Sequence, residues 1–365
     1  MMAPAFSSPR QAAAFGLMLL AIVALPAIMG KSLLPSREEI YTSTPWEFGP
    51  YHSLRQQIFG DKSDIDIAFV GSSRILHDID TPYVQKALSE KLGRDATVVT
   101  LGWNWAGFDA EYFIAKDLLA HRKVAMIVFT EESRAGDDPQ HAAPHWFRFG
   151  DDAAEIGGLP FHFKAAYYMA AIQGMPRNLL SLIRPNSPQQ SPASTTAAWR
   201  SVRGEDPTRR LGSIASKLGF MHNFTSFEFY TPPRAASAAD AVVYSPETKG
   251  DFQFSNDASA LQLYFERKFA ALAAEHHSKL VCLNLPETPD AQSPVIREKQ
   301  FWPGTMQADV AMLGVPPAKL FAGMTGDDIL KLFLDPYHFN LNGQEYFTPA
   351  VTPDLLRLYD SATSH

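Results

Sequence analysis

The chain has 365 residues, of which 46% are hydrophobic, and its 32 basic and 39 acidic residues give a formal net charge of −7. A chain of this length can bury a substantial core, and it suggests two domains or one α/β domain with a large insertion. The acidic balance argues against nucleic acid as a partner, because that binding requires basic residues to neutralise phosphates. The single cysteine, Cys282, excludes an intramolecular disulfide and any multi-cysteine metal site.

An uncharged apolar stretch at residues 12–30, between Arg10 and Lys31, predicts a membrane anchor. Its length approaches the roughly 20 residues that a bilayer core requires. A cleaved signal peptide is the alternative, since small residues stand near the end of the stretch. We favour the uncleaved anchor because the stretch is longer than a usual signal-peptide core. Residues 1–11 are then cytoplasmic, and we expect a single-pass inner-membrane protein whose main domain lies in the periplasm or outside the cell.

Strands and helices alternate after a lead-in at residues 31–63 that holds one short helix. The predicted strands are 64–70, 95–101, 124–130 and 278–285, with a fifth in 316–322, and the predicted helices are 81–93, 109–122, 257–277 and 342–359. Such alternation is typical of βαβ units, which build a parallel sheet through right-handed crossovers. The sequence therefore predicts an α/β fold with a central parallel sheet.

The alternation stops between residues 134 and 256, a segment rich in Pro and Gly that contains one predicted helix, "HFKAAYYMAAIQGM" (162–175). Loops this long are uncommon in compact domains. We therefore predict an insertion or lid at 134–256, which separates a first part of the sheet domain (64–133) from a second part (257–365).

Reactive residues follow the predicted strands, and ligands of open parallel sheets bind outside the carboxyl ends of the strands. The candidates are Ser73 and Arg74 after the first strand, Gly102 and Trp103 after the second, and Asp335 and His338 in the C-terminal loop. A serine hydroxyl becomes a nucleophile when an imidazole accepts its proton, and a carboxylate must orient that imidazole. Because Asp335 and His338 are three residues apart, one tight turn can pair them.

Two further roles complete the predicted site. Main-chain N–H groups of Ser73 and Gly102 are candidates for an oxyanion hole, since a tetrahedral oxyanion needs preorganised donors. Arg74 is a candidate for holding an anionic substrate group, although an arginine in a first helical turn often faces solvent. Trp103 and Trp105 offer flat apolar faces that suit sugar rings, and core packing explains a tryptophan equally well.

Three segments carry a resemblance to a known family: "FVGSSR" (69–74), "TLGWNWAG" (100–107) and "DPYHFNLNG" (335–343). They resemble the corresponding blocks of the SGNH/GDSL hydrolase superfamily. The resemblance implies a three-layer, flavodoxin-like fold with Ser73 as nucleophile, Asp335 and His338 as the other triad members, and Gly102 as an oxyanion donor. It implies an acyl-enzyme mechanism that requires no metal or organic cofactor.

The sequence departs from this family at two places. Ser72 stands where the family has Asp, and Arg74 stands where it has Leu. The third block, "FTEESR" (129–134), lacks the Asn that serves as an oxyanion donor. Either Asn104 replaces that donor or only main-chain donors remain, and one donor is worth about 100- to 1,000-fold in rate. A catalytically degenerate domain that binds a glycan or an acyltransferase is therefore the alternative to an enzyme.

An N-terminal anchor joined to such a domain is similar to bacterial envelope proteins of polysaccharide O-acetylation, as in the alginate and cellulose systems. This likeness implies an esterase or O-acetyltransferase that acts on envelope or exported polysaccharide, or on a small acyl ester. It also implies a membrane-bound O-acyltransferase as a partner.

Two other site types are less well supported. A nucleotide- or flavin-binding sheet would carry G-x-G-x-x-G or a P-loop lysine after a strand, and neither is present. His141 and His145 have the spacing of zinc ligands on a helix, but Pro144 interrupts that helix and no third ligand is evident.

Overall fold

The computed structural model describes residues 8–29, 35–45, 48–131, 136–183, 230–255, 259–298 and 310–363. The chain divides into two compact units, an anchor unit of residues 1–44 and 141–189 and a sheet unit of residues 45–140 and 190–365. The segment predicted as one insertion, 134–256, therefore contributes to both units.

Thirteen α-helices lie in the described residues. In chain order they are α1 (Pro9–Ile28), α2 (Arg37–Ser43), α3 (Tyr51–Arg55), α4 (Ser73–Asp78), α5 (Thr81–Leu92), α6 (Phe108–His121), α7 (Ala143–Trp146), α8 (Phe149–Asp152), α9 (Phe161–Ile183), α10 (Ala260–Glu275), α11 (Pro317–Leu320), α12 (Gly326–Leu330) and α13 (Leu341–Thr363). The strands are β1 (Ile65–Gly71), β2 (Val98–Gly102), β3 (Val124–Thr130), β4 (Val242–Val243), β5 (Phe252–Phe254), β6 (Lys279–Leu283), β7 (Ile296–Glu298) and β8 (Val310–Gly314).

The sheet unit is built on a six-stranded sheet of order β2-β1-β3-β6-β8-β4. The first five strands run parallel, and β4 pairs antiparallel with β8. The five parallel strands follow the order second, first, third, fourth, fifth, which is the order of flavodoxin-like doubly wound sheets. The predicted α/β class with a central parallel sheet is confirmed.

Helices cover both faces of this sheet. All seven residues of β1 are buried, as expected of a strand that is covered on both faces. On one face, Val128 of β3 shares a hydrophobic core with Val84 of α5 and Phe347 of α13. On the other face, the Phe129 ring lies 6.1 Å from that of Phe108 in α6 and 5.4 Å from that of Phe269 in α10. The unit therefore has three layers.

The first four parallel strands lie where the sequence predicts them, but the prediction of a fifth strand at 316–322 is wrong. That stretch forms the short helix α11, and the fifth parallel strand is β8, just before it. Consecutive prolines explain the difference, because Pro317 occupies the first helical position, where its fixed φ favours a helix start.

The anchor unit contains α1, the one helix in the described part of the chain that is long and apolar enough to cross a membrane. It supports the predicted membrane association through the N-terminus. In the same unit, Arg37 of α2 donates hydrogen bonds to the carbonyl of Trp146 (3.1 Å) and to the carboxylate of Asp152 (3.2 Å). Helix α9 extends beyond the predicted range 162–175 at both ends.

Candidate active site

The carboxyl end of β1 lies at the switch point of the sheet, because β2 and β3 flank this strand on opposite sides. Ser72 follows β1 as the N-cap of α4, and Ser73 is the first residue of that helix. Ser73 is the only residue of the stretch 71–80 that is not buried. The local fold therefore presents one hydroxyl to solvent at the place where doubly wound sheets bind ligands.

The predicted triad residues lie together. The Ser73 hydroxyl Oγ is 2.8 Å from Nε2 of His338, and Nδ1 of the same imidazole is 2.8 Å from Oδ2 of Asp335. Ser73 and His338 are 265 residues apart in the sequence, so the contact is tertiary. The predicted spatial arrangement of the three side chains is present, and their catalytic role stays a prediction.

The Asp335 carboxylate is held by its own turn. Its Oδ1 accepts the main-chain N–H groups of Tyr337 (2.8 Å) and His338 (2.9 Å), while Oδ2 faces the imidazole. With one oxygen fixed by two donors, the other oxygen stays directed at Nδ1. The N–H on Nδ1 then leaves Nε2 as the proton acceptor for the serine.

Three hydrogen bonds hold the His338 loop and α13 against the end of α4. The main-chain N–H of Phe339 donates to Asp78 Oδ1 (2.7 Å), the Gln344 amide donates to the Ile79 carbonyl (3.0 Å), and the Asp80 N–H donates to the hydroxyl of Thr348 (2.9 Å). These bonds join residues 78–80 to residues 339–348. They explain how two distant segments place Ser73 opposite His338.

Asp78 is a site residue that sequence reasoning missed. Its side chain is fully buried, and burial raises its pKa to about 8, although Arg74 lies near. The available signal was an acidic residue among the apolar Ile75, Leu76 and Ile79, since a carboxyl that is buried with such neighbours usually has a hydrogen-bond partner. His77, also missed, places its buried ring 5.1 Å from that of His338. Burial, together with the nearby His338, keeps the pKa of His77 well below its ordinary value.

The remaining polar residues of the C-terminal motif are structural. The Asn340 side-chain oxygen accepts the N–H groups of Asn342 (2.8 Å) and Gly343 (3.3 Å), and it thereby caps α13. A Cβ at Gly343 would overlap the carbonyl of Leu332. The motif thus combines a His–Asp pair with the start of the final helix.

The predicted oxyanion donors differ in their surroundings. Gly102 is the last residue of β2 and pairs with Gly71. The N–H of Trp103 donates to the Gly71 carbonyl (3.2 Å), so the Gly102 N–H, one residue earlier, points away from β1. A Cβ at Gly102 would overlap Leu76 of α4, so this glycine also permits close packing of the helix that carries Ser73.

Asn104 is held through its main chain. Its N–H donates to the Phe48 carbonyl (2.9 Å), and its carbonyl accepts from the Gln140 amide (2.8 Å). The main-chain N–H is therefore engaged, and the predicted donor role falls to the Asn104 side-chain amide.

The structure corrects the predicted role of Arg74. This side chain is buried: its guanidinium bonds to Glu287 (3.2 Å) and to the Leu285 carbonyl, and its Nε lies 3.6 Å from Asp78. The nitrogens face protein acceptors rather than solvent or a ligand. Arg74, the second residue of α4, therefore ties this helix to the loop after β6.

The predicted substrate-binding role of Trp103 is also corrected, since its side chain is completely buried. Trp105 is instead 45% exposed, and its ring lies 5.5 Å from that of Phe48. Its φ of +64° is uncommon for a residue with a side chain. Close to the end of β2, the ring that faces solvent is thus Trp105.

A group of buried carboxyl groups lies near Glu131, the residue that follows β3, and was also missed. Glu266 of α10 and Glu298 of β7 are fully buried, and both are close enough to the buried Glu131 for its charge to raise their pKa values further. Burial raises the pKa of Glu266 to about 9 and that of Glu298 well above its ordinary value. The Asn284 amide donates to Glu298 (2.8 Å). The same burial raises the pKa of the Cys282 thiol.

Within the described ranges, no three His, Cys, Asp or Glu side chains have the arrangement of a metal site. His145 instead contacts the guanidinium of Arg177, and burial together with that charge lowers its pKa to about 3. The structure therefore gives no support to the zinc alternative at His141 and His145.

Neither the models of known protein families nor the curated proteins include a match to this chain.

Proposed function

We propose that this protein is a serine acyl hydrolase or O-acyltransferase of the SGNH type. The observation that carries the proposal is the 2.8 Å contact between Ser73 Oγ and His338 Nε2, with Asp335 on the opposite nitrogen of the imidazole. A serine that merely caps a helix would not need this contact, and the N-cap position of α4 belongs to Ser72.

The reaction follows from the proton positions. His338 Nε2 accepts the Ser73 proton while Oγ attacks the ester carbonyl carbon, and the carbonyl electron pair moves to its oxygen. Collapse of the tetrahedral intermediate expels the alcohol oxygen, which takes the proton from Nε2. Water or a sugar hydroxyl then attacks the acyl-serine carbonyl carbon and gives its proton to His338 Nε2. The second tetrahedral intermediate collapses by breaking the bond to Ser73 Oγ, which takes that proton back, so the acid or the new ester leaves and the serine is restored. The Asp335 carboxylate stabilises the imidazolium in both halves of the reaction.

Stabilisation of the oxyanion depends on main-chain donors. The Ser73 N–H lies in the first turn of α4, where N–H groups have no acceptor within the helix. The Gly102 N–H, the second predicted donor, is directed away from β1, the strand that leads to Ser73, so the Ser73 N–H is the main-chain donor that this arrangement favours. With the Asn104 amide as a third candidate, this hole is consistent with slow hydrolysis or with a preference for an activated acyl donor.

For the substrate, we propose acyl esters of an envelope or exported polysaccharide. Two observations support this class. Helix α1 has the length and apolarity of a membrane anchor, which would hold the site at the cell envelope. The exposed ring of Trp105, three residues beyond β2, offers the flat apolar face on which sugars stack. A membrane-bound O-acyltransferase is the partner that this location favours.

The test is labelling of the detergent-solubilised full chain with a fluorophosphonate probe. We expect labelling of the wild type, loss of labelling in Ser73→Ala, and retention in the matched control Ser72→Ala. Absence of labelling in a folded wild-type protein would instead indicate the non-catalytic binding domain. Release of acetate from an acetylated oligosaccharide, compared with transfer to a second oligosaccharide, distinguishes hydrolysis from transfer.

A further inference from the structure

Helix α9 has an unusual distribution of polar and apolar side chains between its two faces. On a helix that borders water, charged and polar residues face outward and apolar residues face inward. In α9, Arg177 is half-buried and Asn178 is buried, whereas Phe161, Met169 and Leu180 are 83%, 51% and 60% exposed. Two polar side chains near the end of this helix therefore turn inward.

The inward polar groups are used within the anchor unit. Arg177 donates to the Pro144 carbonyl at the start of α7 (2.8 Å) and contacts the His145 ring. A Cβ at Gly174 would overlap that same Pro144 carbonyl, so the two helices approach closely. Contact with α7 thus accounts for the polar side chains on the inward face of α9. The outward face does not take part in this contact.

The outward face of α9 is defined here by the exposed residues Phe161, His162, Met169, Gln173, Pro176, Leu179 and Leu180. This face includes four large apolar side chains and no lysine, arginine, aspartate or glutamate. Scattered apolar residues on a surface need no explanation, but an entire helix face without these charges is typical of a helix in contact with lipid.

The anchor unit also shows what could cover this face. The Tyr168 hydroxyl of α9 donates to the main-chain carbonyl of Val23 in α1, the helix that is long and apolar enough to cross a membrane. Val23 precedes the end of α1 at Ile28 by five residues, which places the contact about 7–8 Å along the helix axis from that end. The ring of Phe149 packs edge-on against Tyr168 at 4.8 Å. Aromatic residues at this depth are characteristic of the bilayer interface.

We propose that the outward face of α9 lies in the membrane interface beside α1, with its apolar side chains among the lipid chains. The bilayer is the occupant, since α9 contacts α1 at interfacial depth and its outward face carries no charged group that requires water. The anchor unit would then hold the protein by two elements, one that crosses the bilayer and one that lies at its surface. This inference depends on the membrane association of α1 and is independent of the acyl-transfer chemistry.

The experiment places an environment-sensitive fluorophore on the full chain in vesicles of phosphatidylethanolamine and phosphatidylglycerol. Cys282 is buried, so thiol labelling is directed to a single introduced cysteine. The test variants are Met169→Cys and Leu180→Cys. Leu19→Cys, on α1, reports whether the anchor is in the bilayer. Glu90→Cys, an exposed position on the charged surface of α5, is the aqueous control.

We expect probes at positions 169 and 180 to lose emission when spin-labelled lipid is added and to be shielded from aqueous iodide, as at position 19. The probe at position 90 should respond only to iodide. Quenching by iodide at 169 and 180 would overturn the proposal, and so would shielding from both quenchers, which indicates coverage by protein. If position 19 is not quenched by lipid either, the anchor itself is absent from the bilayer and the proposal fails with it.

Discussion

Asp78 Oδ1 accepts the main-chain N–H of Phe339 at 2.7 Å, and this bond ties the helix that begins with Ser73 to the loop that carries His338. The site consequently has a buried support in addition to the contacts among Ser73, His338 and Asp335. Asp78 touches no reacting atom, so it is a positioning residue.

Removal of the Asp78 hydrogen bond should lower the free energy of unfolding and loosen the placement of His338 opposite Ser73. In Asp78→Ala the buried N–H of Phe339 loses its acceptor, at a cost of about 1–3 kcal/mol in the free energy of unfolding. Asp78→Asn keeps an acceptor of the same shape and is the matched control. We expect kcat for an acyl ester to fall in the alanine variant and to stay close to wild type in the asparagine variant at pH 7. Equal stability and equal kcat in the two variants would contradict the positioning role.

The triad should behave as one unit in kinetics. Ser73→Ala is expected to lower kcat by about a million-fold, and Ser73→Ala combined with His338→Ala should be no slower than the single variant. Asp335→Asn should lower kcat by about 10,000-fold, because it favours the wrong tautomer of His338. Asp327→Asn, which removes an exposed carboxylate in α12, is the control. Additive losses in the double variant would mean that the two side chains act independently.

Replacement of Arg74 should affect folding rather than substrate affinity. Arg74→Met leaves the buried Glu287 without its cationic partner, and breaking a buried ion pair costs about 3–5 kcal/mol. The exposed pair of Arg357 and Asp354 provides the control, since Arg357→Met should cost at most about 1 kcal/mol. Denaturant unfolding measures both variants. A stable Arg74→Met protein with a raised KM for anionic esters would restore the predicted role in substrate binding.

Glu266 should make stability depend on pH. Its pKa is raised from 4.5 to about 9 by burial, so the folded state binds a proton that the unfolded state releases. The stabilisation is complete below pH 4.5 and is lost as pH rises toward 9, with a slope for one group of at most about 1.4 kcal/mol per pH unit.

Glu266→Gln should therefore flatten the dependence of the unfolding free energy on pH in this range. Glu275→Gln, at the exposed end of the same helix, should leave it unchanged. Parallel curves for wild type and Glu266→Gln, measured by denaturant unfolding from pH 5 to 9, would show that this carboxyl is not protonated in the folded protein.

Gly102 should be required for packing as well as for its N–H. Gly102→Ala keeps the main-chain donor but places a Cβ on Leu76, and such overpacking typically costs 1–3 kcal/mol (about the range for one added methyl group). Because Leu76 lies on α4, the strain should displace Ser73 and lower kcat. Leu76→Ala in the same chain should restore part of kcat. If Gly102→Ala has the stability and kcat of the wild type, Leu76 does not pack closely against Gly102.

Several features of the protein were determined by local sequence. The strands at 64–70, 95–101 and 124–130 were identified because buried parallel strands are continuous apolar runs, and the apolar stretch at 12–30 was identified in the same way. Asp335 and His338 could be paired in advance because they stand only three positions apart, within one turn. In each case the signal lies within a few neighbouring residues.

Only the tertiary structure decided which way the other side chains face. Arg74 turns inward to Glu287, Trp103 is buried while Trp105 is exposed, and Glu266 is enclosed on α10. Each of these outcomes depends on what packs against the residue from a distant part of the chain. Local sequence sets the period of an element, but the free energy of burying or exposing a face is fixed by its neighbours in space. For the same reason, the sequence could propose Ser73 as the partner of His338, and the packing of α13 against α4 brings the two together.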